Sequence, residues 1–145
     1  MPVSSDRVRD IFSNLSSPET SARYWEHVSS TVHWTVMGST PISGVYNSKK
    51  AFVDATVSYL GRDVLTAPLR IQPVNVITSV VENGKTTAVV EMKAIDAECQ
   101  NGMEYDMRYC WICKFDDASE TIEEVRAYLD TDLLRRVIAE NTGPS

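Results

Sequence analysis

Apolar positions recur at helical spacing near the start of the chain and at alternate positions through its second half. Val8, Ile11, Phe12 and Leu15 fall on one helical stripe behind Ser4 or Ser5, either of which suits the cap of a first helix. Ser17-Pro18-Glu19 then offers a new cap followed by Pro at the first helical position, leading into Ala22, Tyr24 and Trp25. β-Branched and aromatic residues rise from Ser29 to Met37, which predicts a strand ended by Gly38-Ser39-Thr40-Pro41. Past Gly44, Asn47 or Ser48 opens a third helix with Phe52, Ala55, Thr56, Tyr59 and Leu60 turned inward and Gly61 at its end.

From there the pattern changes to sheet. Leu69 to Val81 is rich in Ile and Val, with Pro73 pointing to an edge, an early strand position or a bulge. Asn83-Gly84 is a favoured hairpin turn into a strand from Thr86 to about Cys99, and Asn101-Gly102 returns the chain into a strand from Met103 to Phe115. Along this strand Met103, Tyr105, Met107, Tyr109, Trp111, Cys113 and Phe115 share one side. Ile122 to Leu129 is the last strand, and Leu133, Leu134, Val137 and Ile138 give a short amphipathic helix before a tail predicted to fray from about residue 141. Helices first and three or four hairpin-connected antiparallel strands after them predict an α+β fold, with helices covering one face of a curved sheet.

The 145 residues, 43% of them apolar, fit one domain with a sizeable core. Twenty acidic residues against 14 basic ones give a net charge of −6, which argues against a cationic nucleic-acid groove. No apolar run approaches the roughly 20 residues needed to cross a bilayer, and the opening Met1-Pro2-Val3-Ser4-Ser5-Asp6 lacks the order of a signal peptide, so a soluble cytoplasmic protein is expected. Cys110-Trp111-Ile112-Cys113 has the spelling of a redox or metal pair, but residues three apart on a strand face opposite ways. With Cys99 and two scattered histidines, no metal-ligand spacing emerges. Phosphate loops, nucleotide fingerprints and nucleophile elbows are missing too, so cofactor-free chemistry is the economical enzyme hypothesis.

A bent sheet only partly filled by helices leaves an apolar hollow, the expected ligand site. Tyr105, Tyr109 and Trp111 either line it or serve as core or interface packing. Tyr128 and Asp130 share a direction at the end of the last strand. Turned into an apolar hollow, Asp130 would be a general acid or base; otherwise it caps the helix that follows. His33 is a proton-transfer partner for it, although a lone strand histidine is more often at the surface. His33 and Trp34 must face opposite sides, so one of them at most enters the hollow. Tyr24 and Tyr46 are phenols able to donate to a developing oxygen charge.

The helix-helix-strand opening, the stretch from Trp34 through Gly38 to Gly44-Val45-Tyr46, and the ending Ile122-Glu123-Glu124-Val125-Arg126-Ala127-Tyr128-Leu129-Asp130-Thr131 resemble the nuclear transport factor 2-like (NTF2-like) superfamily, in particular its SnoaL-like and ketosteroid-isomerase-like members. The resemblance spans about Val8 to Ile138 and implies one domain over residues 1–145. It further implies a cone-shaped curved antiparallel sheet whose concave face is covered by the N-terminal helices, a deep hydrophobic pocket and a homodimer across the outer sheet face. Such a family implies a cofactor-free isomerase, polyketide cyclase or dehydratase acting on a small polyketide or terpenoid-like carbonyl compound. Asp130 matches the late-strand carboxylate used as acid or base by several relatives; His33 and Tyr24 would assist, and Trp34, Tyr46, Tyr105, Tyr109 and Tyr128 would hold the substrate. Binding and scaffold proteins share the fold, so a non-catalytic ligand-binding protein or a dimeric scaffold is the alternative.

Overall fold

The structure, a computed structural model, describes residues 1–142. Helix α1 (Ser5–Ser13) is capped by Ser4, whose hydroxyl accepts from the Arg7 amide at 3.1 Å, and it buries Val8, Ile11 and Phe12. Helix α2 (Ser21–Glu26) starts three residues later than Pro18 led us to expect, because Ser17 to Thr20 close a turn in which the Thr20 and Ser21 amides donate to the Ser17 carbonyl. Strand β1 (Val28–Val36) follows, then a short β2 (Gly44–Tyr46) that the sequence pattern did not reveal. Helix α3 (Lys49–Val53), capped by Ser48, passes through one wide turn with π-type hydrogen bonding (Asp54–Ser58) into α4 (Tyr59–Asp63).

Four long strands complete the sheet: β3 (Ile71–Glu82), β4 (Lys85–Ala94), β5 (Arg108–Asp116) and β6 (Thr121–Leu129). Six strands run in the order β2-β1-β6-β5-β4-β3, antiparallel except where β1 lies parallel to β6. The strand expected from Ser29 to Met37 and the four expected after Leu69 are all present; β2 makes the sixth, and β1 pairs with β6 in parallel, which no local turn announces. Register shifts near Val74, Val81 and Glu123 interrupt the ladders, and bulges of this kind bend strands. The result is the expected curved sheet with the helices against its inner face.

Register places the inner residues. Val36 on β1, Ala127 on β6, Trp111 on β5 and Val90 on β4 form one continuous row. Leu129, Tyr109 and Met92 form the next. All of these except half-buried Leu129 are buried, and the core continues into α1 and α5 (Thr131–Thr142). Alternation on β5 sends Cys113 inward and half-buried Cys110 outward, so the pair cannot act as one redox or metal unit. The expected fraying from residue 141 does not begin there: α5 runs to Thr142, and Asn141 accepts the Asn101 amide at 3.0 Å. Residues 143–145 lie outside the described part.

Candidate functional site

Between the inner rows and the helices lies a cavity of about 400 Å³. Its floor is the sheet: Trp34 and Val36 from β1, Tyr109 and Trp111 from β5, Ala127 and Leu129 from β6. Phe52 of α3, Leu60 of α4 and Trp25 of α2 form the opposite wall, while Tyr105 closes one side. The rim consists of Pro18, Val57, Ser58, Thr66, Ala67 and Pro68, all exposed. The wide turn at Asp54–Ser58 brings Thr56, Val57 and Ser58 to the cavity; the Thr56 hydroxyl donates to the Phe52 carbonyl at 2.7 Å, which leaves its methyl group as the apolar part. Turns of this kind recur at functional sites because they break the regular side-chain spacing of a helix.

The aromatic rings hold one another in place. Phe52 stacks on Trp34 with ring centroids 3.9 Å apart, and Trp111 meets Trp34 edge to face at 5.1 Å and Tyr109 at 5.8 Å. Perpendicular contacts of this sort contribute roughly 0.5–1.5 kcal/mol each beyond area burial, so the wall is preformed. All three tryptophans of the chain face the cavity, and none of its lining side chains carries a charge at neutral pH.

Two buried side chains of the lining hold poorly satisfied donors: Trp34 Nε1–H has no hydrogen-bond partner in the protein, and the Tyr105 hydroxyl lies beside that of Tyr109 without a well-formed bond to it. A buried polar group without a partner costs about 1–3 kcal/mol. Burial pushes the Tyr105 phenol up to about 12 and the Tyr109 phenol well above its ordinary value, and each phenol influences the other. Both therefore stay protonated at neutral pH and act as donors.

Of the residues read from the sequence as ligand-contacting, Trp34, Tyr105 and Tyr109 line this cavity. Tyr105 does so from a loop, since β5 begins only at Arg108, but the alternation of buried positions persists through Met107 to Tyr109. The other candidates lie elsewhere. Asp130 is exposed and outside the cavity: its Oδ1 accepts the Leu133 amide at 3.0 Å, capping α5. That geometry corrects the expected inward turn, because the strand ends at Leu129 and the chain at once enters a helix whose free N–H groups attract the carboxylate. His33 is also exposed, on the side of β1 opposite Trp34, with Nδ1 paired to Asn47 Oδ1 at 3.0 Å.

Tyr24 is completely buried behind the wall, against Phe12 at 5.1 Å and Trp25 at 4.9 Å, and its hydroxyl does not reach the cavity lining. Burial, with Cys113 nearby, raises its phenol well above the ordinary value. Tyr46 supports the wall from outside: its hydroxyl donates to the Ile42 carbonyl at 2.7 Å and its ring meets Phe52 edgewise at 5.8 Å. Tyr128 projects from the outer sheet face, 43% exposed. Sequence reasoning missed Phe52, Trp25 and Leu60 as cavity residues, although the helical stripe through Phe52 and Leu60 was the available signal. Among the described residues no group of three or more His, Cys, Asp or Glu side chains is placed to hold a metal ion, and no helix is long and apolar enough to cross a membrane.

No family model matches the chain, and no curated protein matches it in sequence. Solved structures do match in shape. Bal32a, from a soil-derived mobile gene cassette, superposes with a TM-score of 0.62 at 17% identity, covering 89% of each chain. An NTF2-like protein from Burkholderia thailandensis E264 gives 0.64 at 16% identity, covering 90% of this chain and 95% of its own. Hexachlorocyclohexane dehydrochlorinase LinA-type3 from Novosphingobium barchaimii LL02 gives 0.65 at 10% identity, covering 85% and 84%. The fold is the NTF2-like one, and it is shared with enzymes; at these identities the likeness concerns the fold alone.

Proposed function

We propose that this protein is a receptor for a small, largely apolar organic molecule held in the aromatic cavity. One observation carries the reading: a preformed hollow of about 400 Å³, faced by every tryptophan of the chain and by no charged side chain. That volume lies within the roughly 300–1,000 Å³ range of small-molecule sites. Because Trp25, Trp34 and Trp111 all face the hollow, intrinsic fluorescence reports on it selectively. Titration with N-phenyl-naphthylamine, an uncharged aromatic probe, should quench that fluorescence in a saturable, single-site manner. Linear, non-saturating quenching would oppose the reading.

A second reading, cofactor-free isomerisation, cyclisation or dehydration of a polyketide or terpenoid-like carbonyl compound, is favoured by the Tyr105 phenol of the lining, which burial keeps protonated as a donor. Such a donor strengthens its bond to a carbonyl oxygen as negative charge builds there. The lining supplies no carboxylate or imidazole, so the proton acceptor in this chemistry would be the substrate itself or a water molecule. The readings separate on turnover: a catalyst converts a bound enone or ketone and slows sharply on Tyr105→Phe, whereas a receptor returns its ligand unchanged. In either case we propose pairing of two copies through the outer sheet face, where Val45, Ile77 and Tyr128 are exposed.

A further inference from the structure

Resting on the reading of the cavity as a ligand site, we propose that Gly61 sets its specificity: the side chain missing there keeps the mouth open, and the preferred ligand is a ring system carrying an alkyl chain that runs out past Gly61 to the rim. The usual reasons for a glycine do not apply at this position. Expected from the sequence at the end of a helix, Gly61 instead lies inside α4, with Arg62 and Asp63 still helical after it. Positive φ is found at Gly38, Gly44, Gly84 and Gly102 but not at Gly61, so no left-handed turn calls for glycine. A Cβ added there would meet no protein atom within 4 Å, so close packing does not call for it either. Glycine weakens a helix relative to alanine, and none of the protein's own contacts offsets that.

The empty space belongs to the cavity. Gly61 is half-buried and lines the hollow beside Leu60. Val57 and Ser58 of the rim stand four and three residues before it, the spacing of one helix face. The wide turn at Asp54–Ser58 carries those two residues to the opening and the glycine follows without a side chain, so two departures from a regular helix converge on one mouth. The buried end, at Trp34 and Trp111, suits a ring system, whereas Val57, Gly61, Ala67 and Pro68 offer an alkyl chain an uncharged way out.

Naphthalene and hexylnaphthalene share a ring system and differ in the chain. Their affinities for the full-length parent protein and its variants are measured by calorimetry and tryptophan quenching, and thermal unfolding is followed by circular dichroism. The parent should bind hexylnaphthalene at least about tenfold more tightly than naphthalene, because methylene groups leave water along the mouth. Gly61→Leu, which fills the opening, should reduce that preference to under about threefold while naphthalene binds as before. Gly61→Ala, with a single methyl group there, should narrow the preference at least about twofold and raise the unfolding midpoint by about 2–4 °C, since alanine favours the helix and meets no neighbour. Equal binding of the two ligands by the parent, an unchanged preference in either folded variant, or a lowered midpoint in Gly61→Ala would each overturn the inference while leaving the ligand cavity in place. Binding of neither ligand by the parent would overturn the receptor reading and this inference with it.

Discussion

Trp34 and Phe52 stack with ring centroids 3.9 Å apart and ring planes 16° from parallel, joining strand β1 to the helix that walls the cavity. The contact is braced from outside by Tyr46, whose ring meets Phe52 and whose hydroxyl is fixed on the Ile42 carbonyl. Replacing Phe52 with Ala should cost roughly 3–5 kcal/mol of unfolding free energy, as for other large buried aromatics. Phe52→Leu, which keeps much of the volume, should cost less than half as much. Chemical denaturation measures both, and a loss under about 1 kcal/mol for the Ala variant would mean that the stack does not hold the wall.

Asp130 acts on the backbone of α5, and its replacement separates capping from chemistry. Asn is as good a helix cap as Asp, so Asp130→Asn should leave thermal stability and ligand affinity nearly unchanged, whereas Asp130→Ala should lose about 1 kcal/mol. Loss of ligand binding or of turnover in a folded Asp130→Asn protein would return the carboxylate to the site.

The outline of the fold was legible because its signals are local. Serine caps at Ser4 and Ser48, the Asn83-Gly84 turn and the alternating residues of β5 each act within a few positions. Short β2 and the parallel β1–β6 pairing were not, since they depend on residues brought together from distant parts of the chain. The site divided along the same line. Period-two spacing put Tyr105 and Tyr109 on one side and set His33 against Trp34, but it does not say which face is concave. Asp130 was misplaced for a related reason: strand alternation holds only to Leu129, and the following helix then decides where the carboxylate points. Gly38, at φ +102, belongs to the same junction: a Cβ there would lie 2.7 Å from Thr131 Cγ2, so the turn after β1 packs on the start of α5 only with glycine.

Alkaline pH should weaken the fold through its buried phenols. Tyr105 titrates at about 12 in the folded protein against an ordinary value of 10.0, because burial disfavours the phenolate. Between those values the unfolded chain has released a proton that the folded chain still holds, so stability falls as pH rises through this window and is unaffected below it. The loss from this residue alone approaches roughly 2–3 kcal/mol at the upper end. Tyr105→Phe should show a shallower decline in denaturation midpoint above pH about 10 than the parent protein. Parallel declines in the two proteins would contradict the assignment.

Across the outer face, register aligns Ile77, Val89, Ile112, Arg126, Thr35 and Val45 in one row, with Ile77 and Val45 each 55% exposed. If this face pairs two copies, light scattering after size exclusion should give twice the 16.2 kDa chain mass. Ile112→Glu, which puts a charge in the middle of the row, should shift the protein to monomer without unfolding it. A monomeric parent protein at micromolar concentration would remove the dimer from the account.

The cavity itself is tested most directly by filling it. Ala127 lies on its floor between Val36 and Trp111, so Ala127→Phe places a ring in the space assigned to the ligand. Calorimetric titration of the parent and variant proteins with acetylnaphthalene, with circular dichroism confirming that both are folded, should give one saturable site in the parent and none in the variant. Equal binding by the two folded proteins would place the ligand somewhere other than the aromatic hollow and contradict the account.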